Sequence, residues 1–250
     1  MYKQVLHLFI GMIFLLSCSK NNDDGLIRVE KEVSPFNEVW ADIRTDLEIS
    51  NGERKVVIAT SEQEIQEYVN ISVENKRLII SLKKGIIPKE DWIIKVYASE
   101  KEINEIYSTA SKVKIKNLTT EKLLLSAHGI DSKIEGNIKC DTLDMHVRNV
   151  RDFKLNVDCN EMALEVGNYS NIELTGKADV CGYVVSESVI HAFKLVSKDI
   201  YTYINKDCTM EANVSNEITG TIMNRSKLYY KGNPRIEVVQ INETEIIPVK

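Results

Sequence analysis

From about residue 28 the chain alternates apolar and polar residues with a period of two, the pattern of strands that bury one face and solvate the other. Leu47-Glu48-Ile49, Lys55-Val56-Val57-Ile58, Arg77-Leu78-Ile79-Ile80-Ser81-Leu82 and Trp92-Ile93-Ile94-Lys95-Val96-Tyr97 are examples rich in β-branched and aromatic residues. Asn51-Gly52 and Glu74-Asn75-Lys76 stand between such runs as turns, and Asn-Gly tolerates positive φ at both positions. One short segment, 61–68, reads as a helix of two turns, with Ser61 and Glu64 placed as a capping box.

From residue 104 the alternation acquires a second, longer period near nineteen residues. Aligned on one strand of each unit, the apolar anchors are Val113, Ile134, Phe153, Ile172, Phe193, Met210 and Leu228, nearly all leading an apolar, charged, apolar-or-small triplet. A turn former precedes each: Ser108 or Ser111, Gly129, Asn149, Asn168, Ser188, Asp207 and Ser226. A second short strand lies further upstream, as in Leu123-Leu124-Leu125, Leu143-Asp144-Met145-His146-Val147 and Met162-Ala163-Leu164-Glu165-Val166. A unit this small cannot bury its own apolar face, but stacked units bury a continuous core with strands about 4.8 Å apart. The fold expected is all-β: a right-handed parallel β-helix over 104–250, preceded by a β-rich portion at 28–103. An antiparallel sandwich also alternates, but it does not predict anchors that recur at a fixed period.

The first residues belong to a different class. Lys3 precedes an apolar stretch from Val5 to Leu16, closed by Ser17-Cys18. About twelve apolar residues fall short of the roughly 20 that a membrane-crossing helix needs. Residues 1–17 therefore read as a signal peptide. Leu15-Leu16-Ser17-Cys18 resembles the bacterial lipobox, which makes Cys18 the expected lipid attachment site and the lipid the expected membrane partner. Residues 18–27 form a polar tether whose Asp23 and Asp24 resemble acidic export signals of Bacteroidetes lipoproteins. The expected location is the cell envelope, lipid-anchored to the outer membrane on its periplasmic or outer side.

Composition narrows the partners. With 32 Lys and Arg against 37 Asp and Glu, the net charge is −5 and no basic block stands out, which argues against nucleic acid. Four prolines, eleven glycines and no Ser/Gly/Pro-rich linker favour one continuous unit.

Candidate chemistry is sparse. Cys140, Cys159, Cys181 and Cys208 lie outside any C-x-x-C pattern, so no metal site is expected. Cys140 and Cys159 are one period apart and thus stacked neighbours, which allows either a disulfide or a pair of buried thiols. Asp141, Asp144, Asp152 and Asp158, with Arg148 and Arg151, are the only carboxylate cluster suggestive of a polysaccharide lyase or hydrolase, but their offsets within the units differ. His128, His146 and His191 also sit at unequal offsets, so neither a catalytic triad nor a cofactor is expected. Six of the ten tyrosines fall at or after residue 169. Of these, Tyr169, Tyr183, Tyr201 and Tyr203 form a candidate binding face for sugar rings or a protein partner, if they project outward rather than pack inside. Asp141-Thr142-Leu143 resembles the three-residue O-glycosylation motif of Bacteroidetes.

The opening Val33-Ser34-Pro35-Phe36-Asn37-Glu38-Val39, the run of short β units and the closing Leu228-Tyr229-Tyr230-Lys231-Gly232-Asn233-Pro234 together resemble the auto-transporter adhesin head GIN domain family, over about residues 28–245. The Ser-Gly corners usual in that family are mostly replaced here, by Asn149, Asn168 and Asp207. The resemblance implies a β-helical bacterial envelope protein, often a lipoprotein. The expectation is thus a noncatalytic binding or structural module of the envelope, with a β-helix carbohydrate-active enzyme as the alternative.

Overall fold

The computed structural model describes residues 26–60, 67–87, 92–109, 112–129 and 132–250, all β-strand and turn apart from one short 3₁₀ turn at Glu67–Tyr68. The signal segment, Cys18, most of the tether and most of the expected helix at 61–68 lie outside the described residues. Among the described residues nineteen strands build a β-solenoid with two faces, its coils joined by parallel pairing.

Face A contains β2 (Glu38–Asp42), β6 (Arg77–Leu82), β8 (Glu105–Ser108), β10 (Lys122–His128), β12 (Thr142–Arg148) and β18 (Arg235–Ile241). Face B contains β3 (Asp46–Asn51), β7 (Ile93–Ala98), β9 (Lys112–Thr119), β11 (Lys133–Lys139), β17 (Lys227–Lys231) and β19 (Glu245–Pro248). Four long strands, β13 (Asp152–Gly167), β14 (Asn171–Ser186), β15 (Val189–Asn205) and β16 (Thr209–Met223), run through the corner and belong to both faces. Their first halves extend the ladder of β11 and their second halves that of β12.

The stack is not threaded in chain order. The coil of β2 and β3 lies between the β6–β7 coil on one side and the β8–β9 coil on the other. The N-terminal end is closed by antiparallel strands: β4 (Lys55–Thr60) and β1 (Ile27–Lys31) continue face B beyond β7, and β5 (Val69–Glu74) covers β6 on face A. The antiparallel strands interrupt the parallel continuation of the stack and leave, among the described residues, only the short edge strands β1 and β5 at this end.

Every second residue of each coil points inward, and these columns are the core. On face B, Val113, Ile134, Phe153, Ile172, Ile190, Met210 and Leu228 stack in one column, all with at most 1 % exposure. Each such side chain contributes about 1.5–3 kcal/mol by leaving water. One expected anchor is corrected: Ile190, not Phe193, fills the column. The register between β14 and β15 shifts after Glu173, and that between β15 and β16 shifts after Ile190. The extra residues displace Phe193 to a half-buried position, with the Lys231 ammonium 4.8 Å from its ring centroid.

The two kinds of corner are built differently. At the corner from face A to face B the backbone turns left-handed: Asn149, Asn168, Tyr169, Lys206, Asp207, Asn224 and Arg225 all have φ between 54° and 61°, or close to it. Asparagine tolerates this conformation better than most residues. Immediately after the turn, Val150, Ser170, Ser188, Cys208 and Ser226 point inward and are buried. Their hydroxyls satisfy backbone groups that the corner would orphan: Val150 N–H donates to Ser170 Oγ (3.2 Å), Ser170 N–H to Ser188 Oγ (3.2 Å) and Cys208 N–H to Ser226 Oγ (3.3 Å). The opposite corner, from face B to face A, stacks the small buried side chains Thr120, Cys140, Cys159, Ala178 and Ser197.

Candidate binding face

Outward-facing residues give the two faces opposite characters. On face B, one column reads Lys95, Glu48, Lys114, Glu135, Lys154, Glu173, His191 and Glu211 in stacking order, alternating in sign with His191 in a cation position. Lys95–Glu48 and Lys114–Glu135 approach to 3.5 Å and His191 Nδ1–Glu211 to 3.2 Å. Burial opposes the charge of Glu48, yet the hydrogen bond from Lys116 and the nearby Lys95 prevail and hold its carboxyl below the ordinary value. A face whose charges satisfy one another across the coils offers little to a ligand.

Face A carries two outward columns whose members are spaced by nineteen residues. One reads Asp144, Ala163, Gly182 and Tyr201, the other His146, Glu165, Val184 and Tyr203. Together they line an open groove of about 700 Å³. Ala163 and Gly182 make its floor because they barely rise above the sheet. Tyr201, Tyr203 and Val184 are 54 %, 46 % and 51 % exposed and form its apolar wall. The Tyr203 hydroxyl leans onto Met223 Sδ at 3.8 Å. Among the described residues the Tyr201 hydroxyl has no partner. At the other end Asp144 and His146 point outward, and Glu165 is paired with Arg148 at 2.6 Å.

The N-terminal part of face A is aromatic too, but those rings are engaged. Trp40 and Tyr107 stack with centroids 5.0 Å apart, Tyr107 meets His128 at 5.7 Å, and the Arg77 guanidinium lies 3.8 Å from the Trp40 ring centroid. Burial, with Arg148 and His146 nearby, lowers the pKa of His128.

Of the expected tyrosine ladder, only Tyr201 and Tyr203 raise exposed rings beside this groove. Tyr169 lies at a corner turn, 76 % exposed, with φ of 60°. Tyr183 is corrected: it points inward and is 2 % exposed, because it pairs with the inward Leu164 and Thr202 whereas Gly182 pairs with Tyr201. Burial, with Cys181 nearby, raises its pKa well above that of an ordinary tyrosine. Cys181 Sγ lies 3.2 Å from Ser197 Oγ, and burial pushes its thiol up to about 11.

Cys140 and Cys159 are stacked in the corner column as reduced thiols. The two thiols influence one another, and the neighbouring Cys140, with burial adding to it, raises the pKa of Cys159. The carboxylate cluster disperses. Asp144 lies on face A, Asp152 pairs with Lys133 (3.1 Å) and Lys154 (3.2 Å) on face B, Asp158 pairs with Lys139, and Asp141 meets Asn160 at a corner. His146 and His191 lie on opposite faces. Among the described residues no three His, Cys, Asp or Glu side chains gather as a metal site. Thr142 of the short glycosylation-like motif sits within β12, paired with Lys122 and Glu161.

Ala163 and Gly182 carry no signal of a site in the sequence, and Asp144 and His146 stand out there only as candidates for catalysis, although stepping back by nineteen from Tyr201 and Tyr203 reaches all four.

Solved structures share this architecture. A "putative adhesin" from Parabacteroides distasonis superposes with a TM-score of 0.80 at 19% identity, covering 90% of this chain and 97% of its own. A "putative adhesin" from Parabacteroides merdae gives 0.76 at 17% identity, with coverages of 91% and 98%. A "putative lipid binding protein" from P. distasonis gives 0.76 at 18%, again covering 91% and 98%. No curated protein matches the chain. The family model "Putative auto-transporter adhesin, head GIN domain" matches residues 35–234, and with its β-solenoid this chain belongs to that family.

Proposed function

We propose that this protein is a noncatalytic binding module of the bacterial cell envelope, lipid-anchored through Cys18 to the outer membrane and engaging its partner through face A. The observation that carries this reading is the contrast between the faces: exposed Val184, Tyr201 and Tyr203 line a groove on one, while the other is covered by alternating charges. A contiguous apolar patch rimmed by polar groups marks an interaction surface. The neighbours named "putative adhesin", the family, and the signal-peptide pattern ending at Cys18 support an envelope location. Nothing favours the enzymatic alternative, since its carboxylates are spread over both faces and a corner, and Asp152 and Asp158 are paired with lysines. The lipid binding named for one P. distasonis neighbour, carried to this chain, would also have to use the surface, because the inward columns are filled.

The test is binding of purified protein to intact bacterial and epithelial cells, with Tyr201→Ala/Tyr203→Ala compared with Lys154→Ala on face B. The double variant is expected to lose binding and Lys154→Ala to retain it. Equal binding by both variants would remove face A from the account. External protease on intact cells reports the orientation, and metabolic labelling with a palmitate analogue, lost in Cys18→Ala, reports the anchor.

A further inference from the structure

We infer that the face A groove is a saccharide site that takes a neutral oligosaccharide chain, with Tyr201 and Tyr203 as its stacking platform and Asp144 and His146 as its hydrogen-bonding end. This deepens the preceding reading and rests on it.

The geometry has three parts. Tyr201 and Tyr203 are two residues apart on β15, so their side chains rise from one side of the same strand about 7 Å apart. About half of each is exposed. A rigid sheet holds them, so little ordering is required when a ligand settles on them. The apolar C–H face of a pyranose complements such an amphipathic ring, as extended apolar chains or compact ions do not.

The second part is the trough beside the platform. Gly182 and Ala163 lie on the two coils preceding Tyr201, in register with it. The sheet surface there is low enough for a chain to continue across the strands. A side chain could be accommodated at 182, since the nearest atom to an added Cβ is Met162 O at 3.9 Å. The small residue is therefore not demanded by the fold, and the open floor is left for an occupant.

The third part is charge. At the far end of the trough stand Asp144 and His146, neither of which forms an ion pair among the described residues, and beyond Tyr201 in the same column stands Thr219. These groups accept and donate hydrogen bonds to hydroxyls. Arg148, the cation beside the groove, is already neutralised by Glu165. With carboxylates prevailing and that cation engaged, a uronate chain or an anionic headgroup would meet repulsion. A neutral, hydroxyl-rich chain meets none.

The test is isothermal calorimetry on the purified full chain with oligomers of glucose, mannose and N-acetylglucosamine, alongside polygalacturonate oligomers and phosphatidylglycerol vesicles. Binding of at least one neutral oligomer is expected, weakened about tenfold or more in Tyr201→Ala and within about twofold of normal in Tyr201→Phe. Gly182→Leu, which fills the trough, should abolish binding while retaining the circular dichroism and melting temperature of the parent. Binding confined to the polyuronate or the vesicles overturns the inference, as does no saccharide binding at millimolar concentration. If cell binding still depends on Tyr201 and Tyr203 in that case, face A stands as the binding surface and only its ligand is wrong.

Discussion

Gly220 offers a sharp test of how the solenoid is held together. It lies in β16 on the inward column that runs Tyr183, Thr202, Gly220 and Val238, with φ of 128°, a conformation essentially reserved for glycine. A Cβ added there would sit 1.9 Å from Thr202 O and 2.8 Å from Thr202 C and N, all backbone atoms of the preceding coil. Gly220→Ala thus adds backbone strain of about 1–3 kcal/mol and a steric displacement of similar size, about 4 kcal/mol together. Because coils contact only their neighbours, the damage should stay local. Hydrogen–deuterium exchange would show it: amides of the second half of β16 and of β18 should lose about a thousandfold in protection, whereas β8 to β12 should change little. Gly182→Ala is the internal control, since it has an ordinary φ and open space. Unchanged protection around Gly220, or equal losses in both variants, would refute the argument.

Ser170→Ala should destabilise by about 2 kcal/mol in urea unfolding, because the buried Val150 N–H loses its acceptor; a change under about 0.3 kcal/mol would show that the serine ladder is not structural. Cys140 and Cys159 should be joined by a disulfide oxidant such as oxidised DsbA-type protein, leaving Cys181 and Cys208 as thiols; mass mapping after alkylation of the unfolded protein reads this, and four alkylated thiols would exclude the bridge. The carboxyls of Asp152, Asp179 and Asp207 are held below their ordinary value by hydrogen bonds from Lys133, Lys198 and Arg225 respectively. A folded-state pKa below the unfolded one gives stability that is full above about pH 4 and lost as pH falls through the lowered values. The melting temperature should therefore fall on acidification below that point, less steeply in Asp152→Asn/Asp179→Asn/Asp207→Asn and less steeply in high salt. An unaltered slope in the triple variant would assign acid lability to other groups.

Much of this architecture is written in local order. Alternation of period two specifies strands because successive side chains leave a strand on opposite sides. The period near nineteen specifies stacking because no single coil can bury its own face. Asn149, Asn168 and Asp207 mark corners because their backbone turns left-handed there. What the sequence pattern does not determine is which column a residue joins once the coils vary in length. Tyr183 and Tyr201 are eighteen residues apart, one short of the coil, so one points inward and the other outward. Phe193 resembles an anchor by pattern, but the shifted register around β15 gives its place to Ile190. The insertion of the β2–β3 coil between β6–β7 and β8–β9 joins segments far apart in the chain, and nothing periodic announces it. The groove on face A arises the same way. Tyr201, Tyr203, Gly182 and Asp144 become one surface only when separate coils are laid in register, so alternation determined the strands and stacking decided the site.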